Sequence, residues 1–365
     1  MSHQYAAATA AFSMLLILIV SFFRKQQYEL FYVVHVLLVA VVLATVGYHT
    51  HQPPNISPRT LIIVGLAAGL WTLDRMLRLS TRVYHGAGNY CTLTPLPEGA
   101  TKVTMHRPIK ALPGSHVFLW IPGVRIFESH PFTLLANKPA AEFVIAAQDG
   151  FTKHLHEAAC KQSPGRKFRA AIEGPYGTTA EVREFDKIVL LAGGSGATFT
   201  LALALHWARD AQLRKPRSTM EFVWIVKTKA YLHWFDAELA ELQTCPAVNL
   251  RIHITGDGAG QEAVQKDARS APTSAMGSTE QEKSMVQIAA PSSQQDFEKL
   301  GLFEYSRPVV DAIVERAVAS VPSSKRLLVA AAGPNSILTD TRIAASSHMV
   351  AGLPGVHLHL EQFGW

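Results

Sequence analysis

Residues Ile188 to Thr198 read I-V-L-L-A-G-G-S-G-A-T. The apolar run Ile188–Ala192 predicts a buried parallel strand. It breaks into Gly193-Gly194-Ser195-Gly196, and after Ala197 the stretch from Thr198 onward predicts a helix. A strand, a glycine turn and a helix start suit an anionic ligand. Backbone N–H groups and the positive end of the helix dipole face the ligand, and glycines allow a phosphate close to the chain. The spacing is not G-x-G-x-x-G: counted from Gly194, the third glycine falls on Phe199. A tight strand-to-helix turn without ligand is the alternative reading. Further along, Glu221–Val226 ends in Lys227-Thr228-Lys229. An acid there would hold the ribose 2′-hydroxyl of NAD, whereas cations suit the 2′-phosphate of NADP. Solvated lysines are the alternative. Near the N-terminus, His35 and His49 stand fourteen residues apart in an apolar stretch. On one helix that spacing puts them on nearly the same face, about 21 Å apart along the axis. Two such imidazoles suit one axial ligand each for two stacked b-type haems; interfacial histidines in a helix bundle are the alternative. His51 projects from roughly the opposite side.

The elements that must position these groups begin in a membrane. The chain has 365 residues, 48% hydrophobic and only 17% charged, below the usual ~25% charged for a soluble domain. Its mean hydropathy is +0.13. Net charge is +6, but the basic residues are dispersed without interleaved aromatics, which argues against nucleic acid as a partner. Three cysteines, Cys91, Cys160 and Cys245, show neither pairing nor metal-ligand spacing. Apolar segments at about 6–23, 28–49 and 60–79 each match the ~17–25 residues that cross a bilayer. A cleaved signal peptide competes for the first, but no basic region precedes it and Arg24-Lys25 follows it. With Arg24-Lys25 and the cluster Arg75, Arg78, Arg82 on the inner side, the N-terminus and the loop Thr50–Arg59 lie outside, and everything after Arg82 is cytosolic. Asn55-Ile56-Ser57 is a glycosylation sequon in that outer loop.

After His85-Gly86 the pattern changes to short β-rich pieces between Pro and Gly turns: Thr101–His106, His116–Ile121, Phe143–Ala147 and Phe168–Glu173. These predict a small antiparallel barrel over 84–182. Two pieces within it invite chemistry. His130-Pro131-Phe132-Thr133 reads by itself as a Pro-containing turn. Gly150-Phe151-Thr152-Lys153-His154-Leu155 reads as a helix start with Thr152 as N-cap, a second anion site. Over 183–365, apolar strands at Ile188–Ala192, Met220–Val226, Leu250–Ile254, Leu327–Ala331 and Val356–Leu360 alternate with helical stretches, as in an open parallel sheet. Gly256 to about Gln295 is rich in Ser, Gln, Ala and Gly and reads as a disordered insertion.

Taken in order, H-P-F-T, G-F-T-K-x-L, Gly174-Pro175-Tyr176-Gly177, G-G-S-G-A-T and the terminal Glu361-Gln362-Phe363-Gly364-Trp365 resemble the ferredoxin-reductase-like module of ferric-chelate reductases and NADPH oxidases. Tyr28-Glu29 leading into His35 and His49 resembles the end of their haem-bearing membrane domain, and the fungal ferric reductases fit best. The resemblance implies an α + β membrane protein: a partial ferric reductase membrane domain over 1–83, then an antiparallel β-barrel FAD domain, then an α/β parallel-sheet NADPH domain. It implies that His130, Pro131, Phe132 and Thr133 line the flavin, with the Thr133 hydroxyl near N5. The helix containing Phe151 and Thr152 would receive the pyrophosphate, and Trp365 would stack on the flavin face. It implies NADPH at Gly193, Gly194, Ser195, Gly196, Ala197 and Thr198, with Lys227, Arg307 and the pair Gly333-Pro334. The family's Cys-Gly-Pro is here Ala332-Gly333-Pro334, and Ser306 stands where a glycine often precedes Arg307.

The function so implied is that of a multi-pass flavoenzyme, placed in the plasma membrane, carrying electrons from cytosolic NADPH through FAD and b-type haem to an outside one-electron acceptor such as a ferric chelate. Hydride passes between cofactors, so no residue is named as general acid or base. The membrane part looks N-terminally short, since only one histidine pair is present. Two alternatives follow from that: an anchored NADPH:acceptor flavin reductase without haem, or a non-enzymatic partner of a full-length relative.

Overall fold

The computed structural model describes residues 2–24, 26, 28–51, 58–126, 128–214, 218–256, 302–322, 324–349 and 355–362. Asn55, Trp365 and, apart from Gly256, the Ser/Gln-rich stretch lie outside them. The molecule divides into two units, one up to Ala87 and one from Gly88 onward.

The first unit is three helices, α1 (Ser2–Phe22), α2 (Tyr28–His51) and α3 (Pro58–Gly86). Each contains a stretch long and apolar enough to cross a membrane: Gln4–Phe22, Leu30–His51 and Arg59–Thr81. α1 packs along α2 and buries Ala6, Ala10 and Ser13, a line of small residues that lets two helices approach closely. Leu15, Leu18, Leu37, Leu66 and Leu70 face outward instead, which suits lipid rather than water. Hydroxyls at this depth return to their own helix: Thr45 Oγ1 donates to the Val41 carbonyl at 2.7 Å and Thr50 Oγ1 to Val46 at 2.9 Å. α3 runs seven residues past the expected end at 79. A helix satisfies its own backbone whether lipid or water surrounds it, so the apolar segment marks the span and not the helix. Pro58 opens α3 and Gly86 closes it, as their backbone preferences favour. Arg75 donates to the Tyr32 hydroxyl of α2 at 3.2 Å and to the Asp74 carboxylate, which also accepts from Arg78.

The second unit begins with two antiparallel sheets. β1 (Tyr90–Leu96), β2 (Ala100–Met105), β5 (Glu142–Ala146) and β6 (Lys167–Arg169) form one in the order β5-β2-β1-β6. β3 (His116–Trp120), β4 (His130–Thr133) and β7 (Ala171–Tyr176) form the other in the order β4-β3-β7. Val103, Phe143 and Ile145 from the first sheet share a core with Val117, Leu119 and Ile172 from the second, closed by Phe151 and Leu155 of α4 (Gly150–Lys161). Two expectations are corrected here. The single strand over Phe168–Glu173 is two, because the chain passes at Ala170 from one sheet to the other. The H-P-F-T segment is strand β4, not a turn. It lies on the edge of its sheet, where a proline removes no needed ladder donor.

A six-stranded parallel sheet follows, in the order β11-β10-β9-β8-β12-β13. Its strands are β8 (Lys187–Gly193), β9 (Thr219–Val226), β10 (Val248–Ile254), β11 (Phe303–Glu304), β12 (Arg326–Ala332) and β13 (Gly355–Glu361). The five strands read from sequence are present, each longer by one or two residues. α5 (Ala197–Arg214) and α6 (Asp236–Gln243) cover one face, α7 (Val310–Ala319) and α8 (Asn335–Ser346) the other. Burial on both faces is why these strands read as unbroken apolar runs.

Barrel and sheet join within this unit. Ala100, Leu135 and Val144 of the barrel belong to the same core as Phe199 and Leu203 of α5. The Trp234 indole donates to the Pro97 carbonyl at 2.8 Å. Lys102 of β2 meets Glu142 at 2.9 Å and Glu238 of α6 at 3.6 Å. Burial pulls the Lys102 ammonium down, but Glu238 and Glu142 outweigh it and hold it above its ordinary 10.5. The contribution of this triad is therefore complete at neutral pH and fades only as pH rises through that raised value. Glu238 keeps just 9% of its side chain exposed, so removing its cation leaves a nearly buried carboxylate. Lys102→Met is expected to cost about 2 kcal/mol, read as a lowered denaturant midpoint with unchanged slope.

Candidate functional site

β8 and β12 are neighbours in register, Ala192 opposite Ala332. The chain leaves β8 toward β9 on one side, while β12 and β13 lie on the other, so the strand order reverses between β8 and β12. Ligands of open α/β sheets bind in the crevice at such a point, beyond the carboxyl ends of the strands.

Two loops meet there. Gly194–Gly196 form a 3-10 turn ahead of α5, with no side-chain cap on the turn. Ala332-Gly333-Pro334 leads into α8. Gly333 has φ +149 and a Cβ on it would stand 2.9 Å from both N and Cα of Gly193. A Cβ on Gly196 would fall on the Ala332 carbonyl and 2.7 Å from the Gly333 nitrogen. The loops thus touch backbone to backbone. Gly194, at φ +53, has no atom within 4 Å of where its Cβ would be: this is the open side of the turn. An uncapped turn with a bare glycine facing open space fits a phosphate group.

Other expected coenzyme residues are placed as follows. Ser195 is exposed; Ala197 and Thr198 are buried. The Thr198 side chain turns inward, its hydroxyl donating to the Val144 carbonyl of the barrel at 3.4 Å. Lys227 is exposed at the end of β9, and Arg307 is exposed three residues beyond β11. Both therefore lie along the carboxyl edge of the same sheet, two strands apart. Ala332 is wholly buried. Trp224 is a residue the sequence reading missed: its indole donates to the Gly194 carbonyl at 3.0 Å and holds the turn from below. An indole inside a buried strand was the available signal, since a buried Trp N–H needs an acceptor.

In the barrel, His130, Pro131 and Phe132 are half-buried and Thr133 is buried. Phe151 sits under them, 1% exposed, with ring centroids 4.9 Å from His130 and 6.0 Å from Phe132. The H-P-F-T strand and the α4 start are thus joined through one aromatic side chain. Thr152 is not the N-cap. It lies inside the first turn, where its hydroxyl accepts the Gln148 N–H at 2.9 Å and donates to the Asp149 carbonyl at 3.1 Å. The cap position is Asp149, which makes no side-chain cap bond, and Gly150 follows at φ +56. The first-turn amides of α4 are therefore not covered by a side-chain cap, which fits an anionic diphosphate better than a Thr152 cap would. Arg125 reaches His154 at 3.3 Å and Glu128 at 3.2 Å, and Glu128 lies 3.5 Å from His130.

His35 and His49 both lie on the unbroken helix α2. His35 stacks obliquely on Phe31 at 5.2 Å, and its Nδ1 is buried without a hydrogen-bond partner. No group of three or more His, Cys, Asp or Glu is placed to hold a metal among the described residues. Were b-type haems bound here, α2 would offer one imidazole to each, His35 to one and His49 to the other.

Comparison with known proteins agrees with this geometry. A family described as "FAD-binding domain" matches residues 87–180, and one described as "Ferric reductase NAD binding domain" matches residues 185–346. "Ferric reductase transmembrane component 4" of Saccharomyces cerevisiae is 26% identical over 379 residues, covering 98% of this chain and 51% of its own length. "Probable cell surface ferric reductase kap2" of Aspergillus oryzae is 29% identical over 237 residues, covering 59% and 31%. "Ferric reductase transmembrane component 5" of Saccharomyces cerevisiae is 25% identical over 322 residues, covering 86% and 43%. The chain spans about half, or less, of the length of these relatives. With both nucleotide-binding domains in the expected order behind membrane-length helices, the chain belongs to the ferric reductase family.

Proposed function

We propose that this chain works as a plasma-membrane flavoenzyme that takes electrons from cytosolic NADPH, passes them to FAD and delivers them to a ferric chelate. The observation that carries the reading is the backbone contact between the Gly193–Gly196 turn and Gly333-Pro334, in one unit with the barrel that bears His130–Thr133 and the uncapped start of α4. The glycine turn holds the NADPH pyrophosphate, Gly333 and Pro334 line the nicotinamide, and Lys227 and Arg307 hold the 2′-phosphate. His130–Thr133 line the flavin, the amides around Gly150 and Phe151 take its pyrophosphate, and Trp365 covers its face. Once bound, the cofactors supply the redox chemistry, accepting an electron pair and releasing single electrons. The protein's own work is to orient them and exclude water, so no side chain needs to act as general base.

The described helices would supply one imidazole toward each haem site, not a pair. A second ligand from another helix or from a full-length relative would complete it. The packing of His35 on Phe31 equally fits a second reading, an anchored NADPH:acceptor flavin reductase without haem, in which these histidines are side chains of a helix bundle.

Cofactor analysis of the purified full chain tests both. The first reading expects stoichiometric FAD, flavin bleaching by NADPH in preference to NADH, and ferrous iron formed from a ferric chelate. Absence of bound FAD, or no bleaching by NADPH, would leave only a non-enzymatic partner role. A pyridine haemochrome assay then separates the two catalytic readings. A b-type spectrum supports the transmembrane route, and its absence with FAD bound and chelate reduction intact supports the anchored reductase.

A further inference from the structure

Arg307 is poorly fixed by its own stretch of chain. β11 itself has two residues, with two ladder partners, Ile252 opposite Phe303 and His253 opposite Glu304. Something beyond the ladder must set where residues 305–307 go.

That something is on β10. His253 is 3% exposed, and its Nδ1 lies 3.0 Å from the Ser306 carbonyl oxygen. A carbonyl only accepts, so Nδ1 carries the proton. Nε2 stands 3.7 Å from Glu304, and Arg251 lies 3.9 Å from the same carboxylate. On the other side, Lys229 lies 5.2 Å from the Tyr305 ring centroid, within cation–π range. The end of β9 is tied as well, since Thr255 donates from its backbone N–H to the Val226 carbonyl at 2.9 Å. The strand end that presents Lys227 and the segment that presents Arg307 are thus held to β10 from both sides. Burial pulls the His253 imidazole below its ordinary value, so it stays neutral at physiological pH and Nδ1–H remains a single, fixed donor.

We propose that His253 is a positioning residue for the 2′-phosphate: by holding the Ser306 carbonyl it fixes the segment that presents Arg307 across the sheet edge from Lys227. This rests on the reading that the two cations serve NADPH. It assigns the choice between NADPH and NADH partly to a buried side chain that touches neither coenzyme.

The test is calorimetric binding to the full-length purified protein, using 2′,5′-ADP and 5′-AMP as probes that differ only in the 2′-phosphate. His253→Leu removes the donor; His253→Asn, whose amide nitrogen can take the place of Nδ1, restores it. His253→Leu is expected to weaken 2′,5′-ADP about three- to tenfold, the value of one lost hydrogen bond, with 5′-AMP unchanged. His253→Asn is expected to recover most of the loss. If His253→Leu does not fold, His253→Gln, which keeps a polar side chain but displaces its donor, is expected to show the same selective loss. Unchanged 2′,5′-ADP binding, or equal weakening of both probes, overturns the positioning role while the NADPH reading stands. A wild-type protein that binds both probes alike overturns the NADPH reading, and this proposal with it.

Discussion

Gly196→Ala is expected to reduce NADPH-dependent flavin reduction more than a hundredfold while FAD stays bound. The added methyl would fall on the Ala332 carbonyl and 2.7 Å from the Gly333 nitrogen, and both are backbone that cannot rotate aside. Either the glycine turn or the Gly333-Pro334 loop must move, and the two together form the mouth of the nucleotide crevice. A displacement that costs more than about 2.8 kcal/mol of binding gives the hundredfold loss. The proposed flavin residues sit on β4 and α4, away from these two loops, so FAD content should hold. Gly194→Ala is the control. Its φ of +53 strains any L-residue, but its Cβ enters open space. The cost there is about 1–2 kcal/mol of backbone strain, which predicts a roughly tenfold effect. Measurement of NADP⁺ binding and of flavin bleaching rates in the two variants checks the ranking. Equal effects would mean that the loops do not meet as described.

Phe151→Ala is expected to release FAD and to destabilise the unit that contains the barrel by about 3–5 kcal/mol, the usual range for a buried Phe truncated to Ala. Phe151 is 1% exposed and belongs to the core shared by both barrel sheets. From the first turn of α4 it also packs against the His130 and Phe132 rings of β4. One truncation therefore loosens both halves of the flavin site at once. Flavin-to-protein ratio after gel filtration and a thermal melt read the two effects. FAD content at the wild-type level, with only the melt lowered, would show that the ring supports the barrel and not the flavin residues. Leu155→Ala, one turn along the same helix and equally buried, provides the comparison.

How much of this was legible beforehand depended on how local the determining physics was. The parallel strands were visible because burial on both faces enforces continuous apolar runs, as in Ile188–Ala192 and Leu327–Ala331. The membrane-length helices were visible because a lipid surrounding, like a core, calls for a continuous apolar run, apart from the polar end of α3. β11 was not: two residues carry no period. H-P-F-T was hidden because Pro131 argues against a strand unless the strand is an edge, and edge position is a property of the sheet. Thr152 was misplaced because Thr near a helix start reads as a cap, while the actual start at Gly150 depends on a positive φ that the sequence pattern does not display.

The sequence by itself determined the order of parts: three apolar helices, a β-rich domain, a parallel sheet, and the glycine turn that marks one anion site. These follow from composition and spacing over a few residues. Only the tertiary structure decided which glycines are indispensable, since Gly194 and Gly196 are alike in sequence and differ by what lies across the crevice. Only it showed Phe151 joining the H-P-F-T strand to the start of α4, Trp224 bracing the turn and His253 holding the carbonyl before Arg307. Each is a contact between residues tens to more than a hundred positions apart or in separate elements, made by packing rather than by local preference, and no window of sequence contains both partners.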